Sequence, residues 1–409
     1  MASKLLNCRG QTEPVSPQIC SQLSVAVGVG FGSVPSATAD ASVHLDPSAG
    51  DLNSAQDTGT RIIAVKSGVI NDYLGVQIKG RYRMSLGLCV IGCGDFAKVF
   101  AQEMQTLAGE VDLFFASRDS QRAAEYAVAF NGKASFGSYE TATADPRVEA
   151  VYLCTPHFLH REHVAMAAAA EKHILVEKPI ARTMEEARSI VQTAQRAGVT
   201  LMVAENYRFM AVVRRAKELI DSGALGELRM IQMQEETDFR PGGWRVSREQ
   251  NGGGVLIDGG IHKIDILNYL VGRPADVYAT ALPQVLDQLE GEDGVVVLTH
   301  SRSGTVGLIN HSWAKVGGKG PKWVTVSGAK ARISFDLAGT QIAINDGLEE
   351  RTLEAAGDRY GLVPMVLEFR DSIRQGREPE TSGSVGLEDL EITLKAYESM
   401  ESGHVVSLD

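Results

Sequence analysis

Leu86-Gly87-Leu88-Cys89-Val90-Ile91 runs straight into Gly92-Cys93-Gly94-Asp95-Phe96-Ala97, and then into a helical pattern through Leu107. The first run is continuously apolar, without alternation, as a strand buried on both faces requires. The small residues that follow have separate tasks in such a strand–turn–helix unit. Gly92 permits the tight turn, Gly94 lets a phosphate approach the backbone, and Ala97 is small enough for the helix to pack on its strand. The helix start, with Asp95 and Phe96 in its first turn, offers free N–H groups and a positive dipole end to an anion. The unit is expected to cradle the pyrophosphate of a dinucleotide.

The units after it strengthen that expectation. Val111–Ala116 reads as a second strand, Ala150–Cys154 as a third and Ile174–Val176 as another, with helical patterns between them and a last strand at Leu201–Ala204. Repeated strand–helix alternation means a parallel, doubly wound sheet, whose ligands lie at the carboxyl ends of the strands. Thr155, Pro156, Glu177, Lys178 and Pro179 all fall at such ends. The second strand ends in Ser117-Arg118, with Arg122 one helical turn later, where an NAD-selective site usually carries an acid for the ribose 2′-hydroxyl. A guanidinium pairs with a 2′-phosphate in a charge-assisted contact. NADP(H) is therefore favoured, and NAD(H) stays open.

Composition narrows the function classes. The 409 residues carry a net charge of −11 without a basic run, so a phosphate backbone is a poor partner and nucleic acid is not expected. No stretch is long and apolar enough to span a bilayer, so no membrane partner is expected either. Five cysteines are too few for a disulfide framework, and their apolar settings suit a reducing, cytoplasmic location. Residues 1–84 differ from the rest. They are rich in Ser, Ala, Gly and Thr, near neutral in charge, and read as a poorly ordered extension. The stretch Ser24–Val34, followed by Ala37-Thr38-Ala39, is a weak export-signal pattern within residues 1–40. Arg61–Val65 could add a strand.

Two further signals carry chemistry. Lys178 sits at a strand end between Glu177 and Pro179, where an ammonium could polarise a substrate oxygen. In Gly252-Gly253-Gly254-Val255-Leu256-Ile257-Asp258-Gly259-Gly260-Ile261-His262, a helix from about Leu256 would put Asp258 and His262 at i, i+4 on one face. An aspartate beside an imidazole can orient it for acid/base work near neutral pH. His157, His160 and His163 are spaced three apart, but no Cys or carboxylate set completes a tetrahedral site, so no metal is expected. His160 is instead expected to touch ribose or substrate.

Together Gly92-Cys93-Gly94, Thr155-Pro156 with His160, Glu177-Lys178-Pro179, and Gly253-Gly254 followed by Asp258, His262 and Asp265 resemble the Gfo/Idh/MocA family, that of glucose–fructose oxidoreductase and inositol dehydrogenase. The resemblance spans about residues 85–409. It implies that Lys178 is the catalytic lysine, followed by a peptide bond often cis in relatives. It implies that His262 is the acid/base that takes the hydroxyl proton, and that Asp258 orients it or shares its proton. The hydride passes to or from the nicotinamide of the cofactor. Trp244-Arg245 resembles a pair near nicotinamide and substrate, and Asn206-Tyr207-Arg208 would line the cleft. The substrate contacts implied are Lys178, Tyr207, Arg245, Asp258 and His262, and the substrate a sugar, sugar derivative or cyclitol. Asp238–Gln250 is the substrate-side loop.

After Gly226 the sequence holds short β-rich runs separated by turn residues, which read as an α+β domain with a large, mostly antiparallel, open-faced sheet. The expected division is an extension over 1–84, a Rossmann domain over 85–206 and a substrate-binding and oligomerisation domain over 207–409. In the family the open face makes subunit contacts, which implies a homodimer or homotetramer. Two other function classes remain: a redox-neutral glycosidase or lyase that reduces and reoxidises its dinucleotide in each turnover, and a non-catalytic dinucleotide-sensing regulator. A regulator has no need of the Lys–Asp–His set that this chain retains.

Overall fold

The structure is a computed structural model that describes residues 85–315 and 322–408. The expectations for residues 1–84, including the extension, the export-signal pattern and the Arg61–Val65 strand, lie outside the described residues.

The apolar run forms β1 (Leu86–Ile91), with every residue buried. Then come α1 (Asp95–Glu103), β2 (Val111–Ala116), α2 (Ser120–Ala129), β3 (Ala134–Phe136), α3 (Tyr139–Ala144) and β4 (Ala150–Leu153). The unit closes with α4 (His160–Ala169), β5 (His173–Val176), α5 (Met184–Ala197) and β6 (Leu201–Val203). The strands lie in the order β3-β2-β1-β4-β5-β6, all parallel. This is the expected doubly wound sheet, with its order reversing between β1 and β4. Side-chain caps fix the helix starts: Asp119 caps α2, Ser138 caps α3 and Thr183 caps α5.

The second sheet follows α6 (Ala211–Asp221) and β7 (Leu228–Glu236). A π-turn over Leu256–Gly260 leads into α7 (Ile261–Val271). Then come β8 (Pro274–Ala281), β9 (Gly294–Ser301), β10 (Val306–Ser312), β11 (Lys322–Gly328), β12 (Arg332–Asp336), β13 (Gln341–Asn345) and β14 (Glu350–Glu354). The chain ends with α8 (Leu362–Gln375), α9 (Gly383–Ser402) and β15 (Val406–Ser407). The nine strands are ordered β14-β13-β12-β11-β7-β10-β9-β8-β15, antiparallel except for the β7–β10 pair. One face is buried under α6 and α7 through Ile231, Met233, Val297, Ile309, Val324 and Ile333. The other face leaves Tyr278 and Trp323 exposed. Three short strands, β3, β14 and β15, escape the sequence reading because two to five residues with little apolar pattern carry no periodic signal.

The closing helices return to the first sheet. Leu362, Met365, Val366 and Phe369 of α8 pack with Phe100 and Tyr152 on one of its faces. Leu390 of α9 joins α4 and α5 on the other, while Ile392 and Ala396 reach the core of the second sheet. α9 thus ties both cores together, and residues from both meet at the carboxyl ends of β1, β4, β5 and β6.

Candidate active site

A cavity of about 740 Å³ opens at those strand ends. The glycine turn forms one wall. Gly92 has φ +98°, and a Cβ there would stand 2.6 Å from the carbonyl oxygen of Cys154 at the end of β4. The turn is therefore pressed onto the neighbouring strand, where only glycine fits. Gly94 is different: a Cβ there would meet no protein atom within 4 Å. Its open side faces the cavity, and α1 begins there with no side-chain cap on its first N–H groups. An uncapped helix start beside an open glycine fits a pyrophosphate. Asp95 and Phe96 also line the cavity.

The end of β2 contributes Ser117, Arg118 and Arg122 to the same wall. Arg118 lies close to Tyr139, which lines the cavity as well. Asp119, the acid next in the chain, is occupied elsewhere. Its Oδ1 accepts the backbone N–H groups of Gln121 and Arg122 at 3.0 and 3.1 Å as the cap of α2. Ser117, Arg118 and Arg122 thus present a hydroxyl and two guanidinium ions to the cavity, with the Tyr139 hydroxyl beside them.

Lys178 follows β5 and precedes a cis bond to Pro179. Its Nζ donates to the backbone oxygen of Asp258 at 2.5 Å and to Oδ1 of the same residue at 3.4 Å. Arg245 Nε donates to Asp258 Oδ2 at 2.9 Å, and His157 Nε2 stands 4.0 Å from Oδ1. Burial opposes ionisation of Asp258, but Lys178 and Arg245 outweigh it and hold the carboxyl at about 2. Burial pushes His157 down to about 3, so its ring is neutral at pH 7, with Nδ1 bonded to the Asn251 carbonyl. Trp244 meets His157 edge-on at 4.4 Å, and Arg245 lies over the Trp244 ring. Two cations therefore share one buried anion behind the cavity wall.

His262 lies near the start of α7 and also lines the cavity. Its Nδ1 is 2.7 Å from Oε2 of Glu205, a buried residue just past β6. The ring of Tyr207 stacks on it at 4.0 Å with the planes 4° apart. The expectation that Asp258 orients His262 is therefore corrected. The carboxylate of Asp258 goes to Lys178 and Arg245, and Glu205 holds the imidazole. The physical reason is the charge around each group: Asp258 lies against the Lys178 ammonium and the Arg245 guanidinium, while the Glu205 carboxyl reaches Nδ1 of His262 from the end of β6.

Residues 86–205 match the family model described as the oxidoreductase family, NAD-binding Rossmann fold, and residues 213–334 match the GFO/IDH/MocA C-terminal domain. The chain belongs to the Gfo/Idh/MocA oxidoreductase family. Among its relatives, trans-1,2-dihydrobenzene-1,2-diol dehydrogenase of Mus musculus is 30% identical over 284 residues, covering 68% of this chain and 84% of the relative. A 1-carboxy-3-chloro-3,4-dihydroxycyclohexa-1,5-diene dehydrogenase of Comamonas testosteroni is 42% identical over 154 residues, 36% of this chain; that match spans only 38% of the relative's own length. Among solved structures, levoglucosan dehydrogenase in complex with NADH and levoglucosan superposes with a TM-score of 0.73 at 25% identity, covering 79% of this chain and 99% of that one. A nicotinamide-dinucleotide oxidoreductase is thus the coarse identity of this Gfo/Idh/MocA member.

Most residues singled out in the sequence lie on the cavity wall: Gly92, Gly94, Thr155, Pro156, Glu177, Lys178, Tyr207, Trp244, Arg245 and His262 among them. Asn206 lines it too, its Nδ2 donating to the Tyr360 carbonyl at 2.6 Å. Arg208 does not. It is buried against Asp265 of α7. His160 is a second correction. It is wholly buried, with Nδ1 3.0 Å from the Pro179 carbonyl and Nε2 3.0 Å from the Thr155 carbonyl, so both ring nitrogens face backbone oxygens. It pins the turn that carries Lys178 rather than facing a ligand. Phe239, in the expected substrate-side loop, is on the wall; residues not assigned to the site were Tyr139, His157 and Tyr360 on the wall, and Glu205 behind His262. Glu205 follows a strand end and could have been found by the rule that picked out Thr155 and Glu177.

Proposed function

We propose that the chain moves a hydride between NADP(H) and a hydroxyl-bearing or carbonyl carbon on a ring, in a sugar, sugar derivative or cyclitol. The observation that carries this reading is that Lys178 and His262 border one cavity with the glycine turn. A bound nicotinamide would supply or accept the hydride. Gly92, Gly94 and the start of α1 would hold its pyrophosphate, and Ser117, Arg118 and Arg122 a 2′-phosphate.

The chain's own residues do the rest. Lys178 is fixed at two points by Asp258, so its remaining N–H can be aimed at a substrate oxygen without reorganising. His262 moves the proton of that oxygen. Arg245, tethered to Asp258 through Nε, has its other guanidinium N–H groups for a neighbouring hydroxyl. Tyr207, Phe239, Trp244 and Tyr360 supply flat apolar surface for a ring, as small-molecule sites commonly do. The named relatives act on cyclic dihydrodiols, and the solved neighbour holds levoglucosan, which supports a cyclic substrate. The exposed outer face of the nine-stranded sheet, with Tyr278 and Trp323, supports self-association through it.

The test is direct. Purified chain is mixed with NADP⁺ or NAD⁺ and a panel of aldoses, anhydro-sugars, inositols and cyclic diols. Reduced nicotinamide should appear with at least one of them, faster with NADP⁺. Silence across the panel, or a clear preference for NAD⁺, would overturn the corresponding half of the reading.

A further inference from the structure

Behind His262 lies a group of buried acids that the reading above does not use. Glu205 is 1% exposed, and its Oε1 has no hydrogen-bond partner among the described residues. Asp265, on α7, is fully buried and held by Arg208 through Nε at 3.2 Å and through Nη2. Asp389, on α9, is 1% exposed; its Oδ1 accepts from Asn268 at 3.4 Å, and its Oδ2 has no hydrogen-bond partner among the described residues. Three buried carboxyls thus share one buried guanidinium. Arg208 neutralises Asp265, and a second or third bare charge in this apolar surrounding would be strongly disfavoured. Burial, then Asp265, drives Glu205 well above the ordinary carboxylate range. The charged groups that bear on it are Asp265 and His262 on α7, Asp389 on α9, Arg208 beside it, and Glu177 and Lys178 at the end of β5.

We propose that Glu205 is a positioning residue for proton transfer: at rest its Oε2–H donates to Nδ1 of His262, so that the imidazole carries its own proton on Nε2 and the site is loaded to protonate a carbonyl oxygen. This deepens the proposed function and rests on it. The balance is simple. In reduction, the Nε2–H bond breaks and an O–H bond forms on the substrate. The Oε2–H proton of Glu205 crosses to Nδ1, leaving a neutral imidazole and a carboxylate, while the hydride comes from the reduced nicotinamide. Oxidation runs these steps backward and needs the pair to have lost a proton first. Reduction therefore falls and oxidation rises with pH through one shared ionisation, that of the Glu205–His262 pair.

The first test needs no substrate. Nitrogen-15 NMR of the histidine-labelled, dinucleotide-free full chain, with His262 assigned from His262→Gln, reports which ring nitrogen is protonated. The expected wild-type signature is the neutral Nε2–H form near pH 6, passing to the Nδ1–H form as pH rises. In Glu205→Gln the ring should keep one form across that range. A wild-type ring that is Nδ1–H or doubly protonated at pH 6 overturns the proposal, even if the variant fails to fold. Once a substrate is in hand, Glu205→Gln should lose about 100-fold in kcat for reduction with KM for the dinucleotide unchanged. It should also lose the ionisation from the pH profile of oxidation. An unchanged profile overturns the relay. Failure to find any substrate would count against the proposed function alone, because the NMR result does not depend on it.

Discussion

Asp389→Asn offers a thermodynamic probe of the same buried acids. The wild-type carboxyl is raised well above its ordinary value, chiefly by burial and then by Asp265 and Glu205. A carboxyl whose folded value is raised holds its proton in the native state after the unfolded chain has released it. Its stabilising effect is complete below the unfolded value and is lost as pH climbs toward the folded one. The slope is ~1.4 kcal/mol per pH unit for one proton. Asparagine has nothing to titrate and keeps the size and shape of the protonated carboxyl. Its carbonyl can still accept from Asn268, whose Nδ2 stands 3.4 Å from Asp389 Oδ1. Between pH 5 and 7 the variant should therefore gain ~2.7 kcal/mol on wild type, while the native carboxyl stays protonated. For a chain of this size that is a relative rise in thermal midpoint of roughly 4 °C.

The assay is parallel thermal and urea unfolding of both proteins at pH 5, 6 and 7. Comparing the two cancels the opposite trend from His157 and His160, which burial lowers to about 3 and about 4 and which are unchanged in the variant. A stability difference that stays flat from pH 5 to 7 would mean Asp389 is ionised in the native state. A difference that moves against the variant would mean the same, and either result removes the argument that one guanidinium leaves the other acids protonated.

Lys178→Ala and His262→Ala should each lower turnover by about 100-fold or more while dinucleotide binding, followed by fluorescence, is retained; retained turnover in both would dismiss the pair as catalytic. Arg118→Ala should raise the KM for NADP⁺ by roughly 10-fold and leave that for NAD⁺ unchanged, since an exposed charge-assisted contact is worth about 1.5 kcal/mol; equal losses for both would remove the 2′-phosphate role. Gly92→Ala should destabilise the fold by at least ~1–3 kcal/mol and abolish dinucleotide binding, because the side chain would need φ +98° and would strike the Cys154 carbonyl. A stable variant that still binds would show that the turn can relax.

What the sequence made legible was local in the chain. The β1 strand, the glycine turn and the helix after it are contiguous, and their chemistry is set by sterics within a dozen residues. Strand ends are likewise local, and ligands gather there for topological reasons, so Thr155, Glu177 and Lys178 could be placed before any fold was known. His262 and Lys178 border one cavity, as the motif pattern implied. Pairings across the chain were not legible. Glu205 and His262 are 57 positions apart, and nothing in the neighbourhood of either marks the other. His160 misled for the same reason: its acceptor at Pro179 is 19 positions away, and only the folded turn shows that both ring nitrogens face carbonyls.

A correct residue list can carry a wrong division of labour. Spacing of four says that Asp258 and His262 can share a face, but not which cations and acids the rest of the fold brings to each. In the fold the side-chain and backbone oxygens of Asp258 both anchor the lysine, and Arg245 takes the remaining carboxylate oxygen. His262 is turned to a different carboxyl, one whose ionisation is opposed rather than favoured by its surroundings. The two acids consequently have opposite electrostatics. Asp258 is fixed as an anion at about 2 and can hold cations but cannot accept a proton near neutral pH. Glu205, among other acids and without a cation of its own, is the one able to exchange a proton. A site that must both polarise an oxygen and move its proton needs one acid of each kind, each with its own partner.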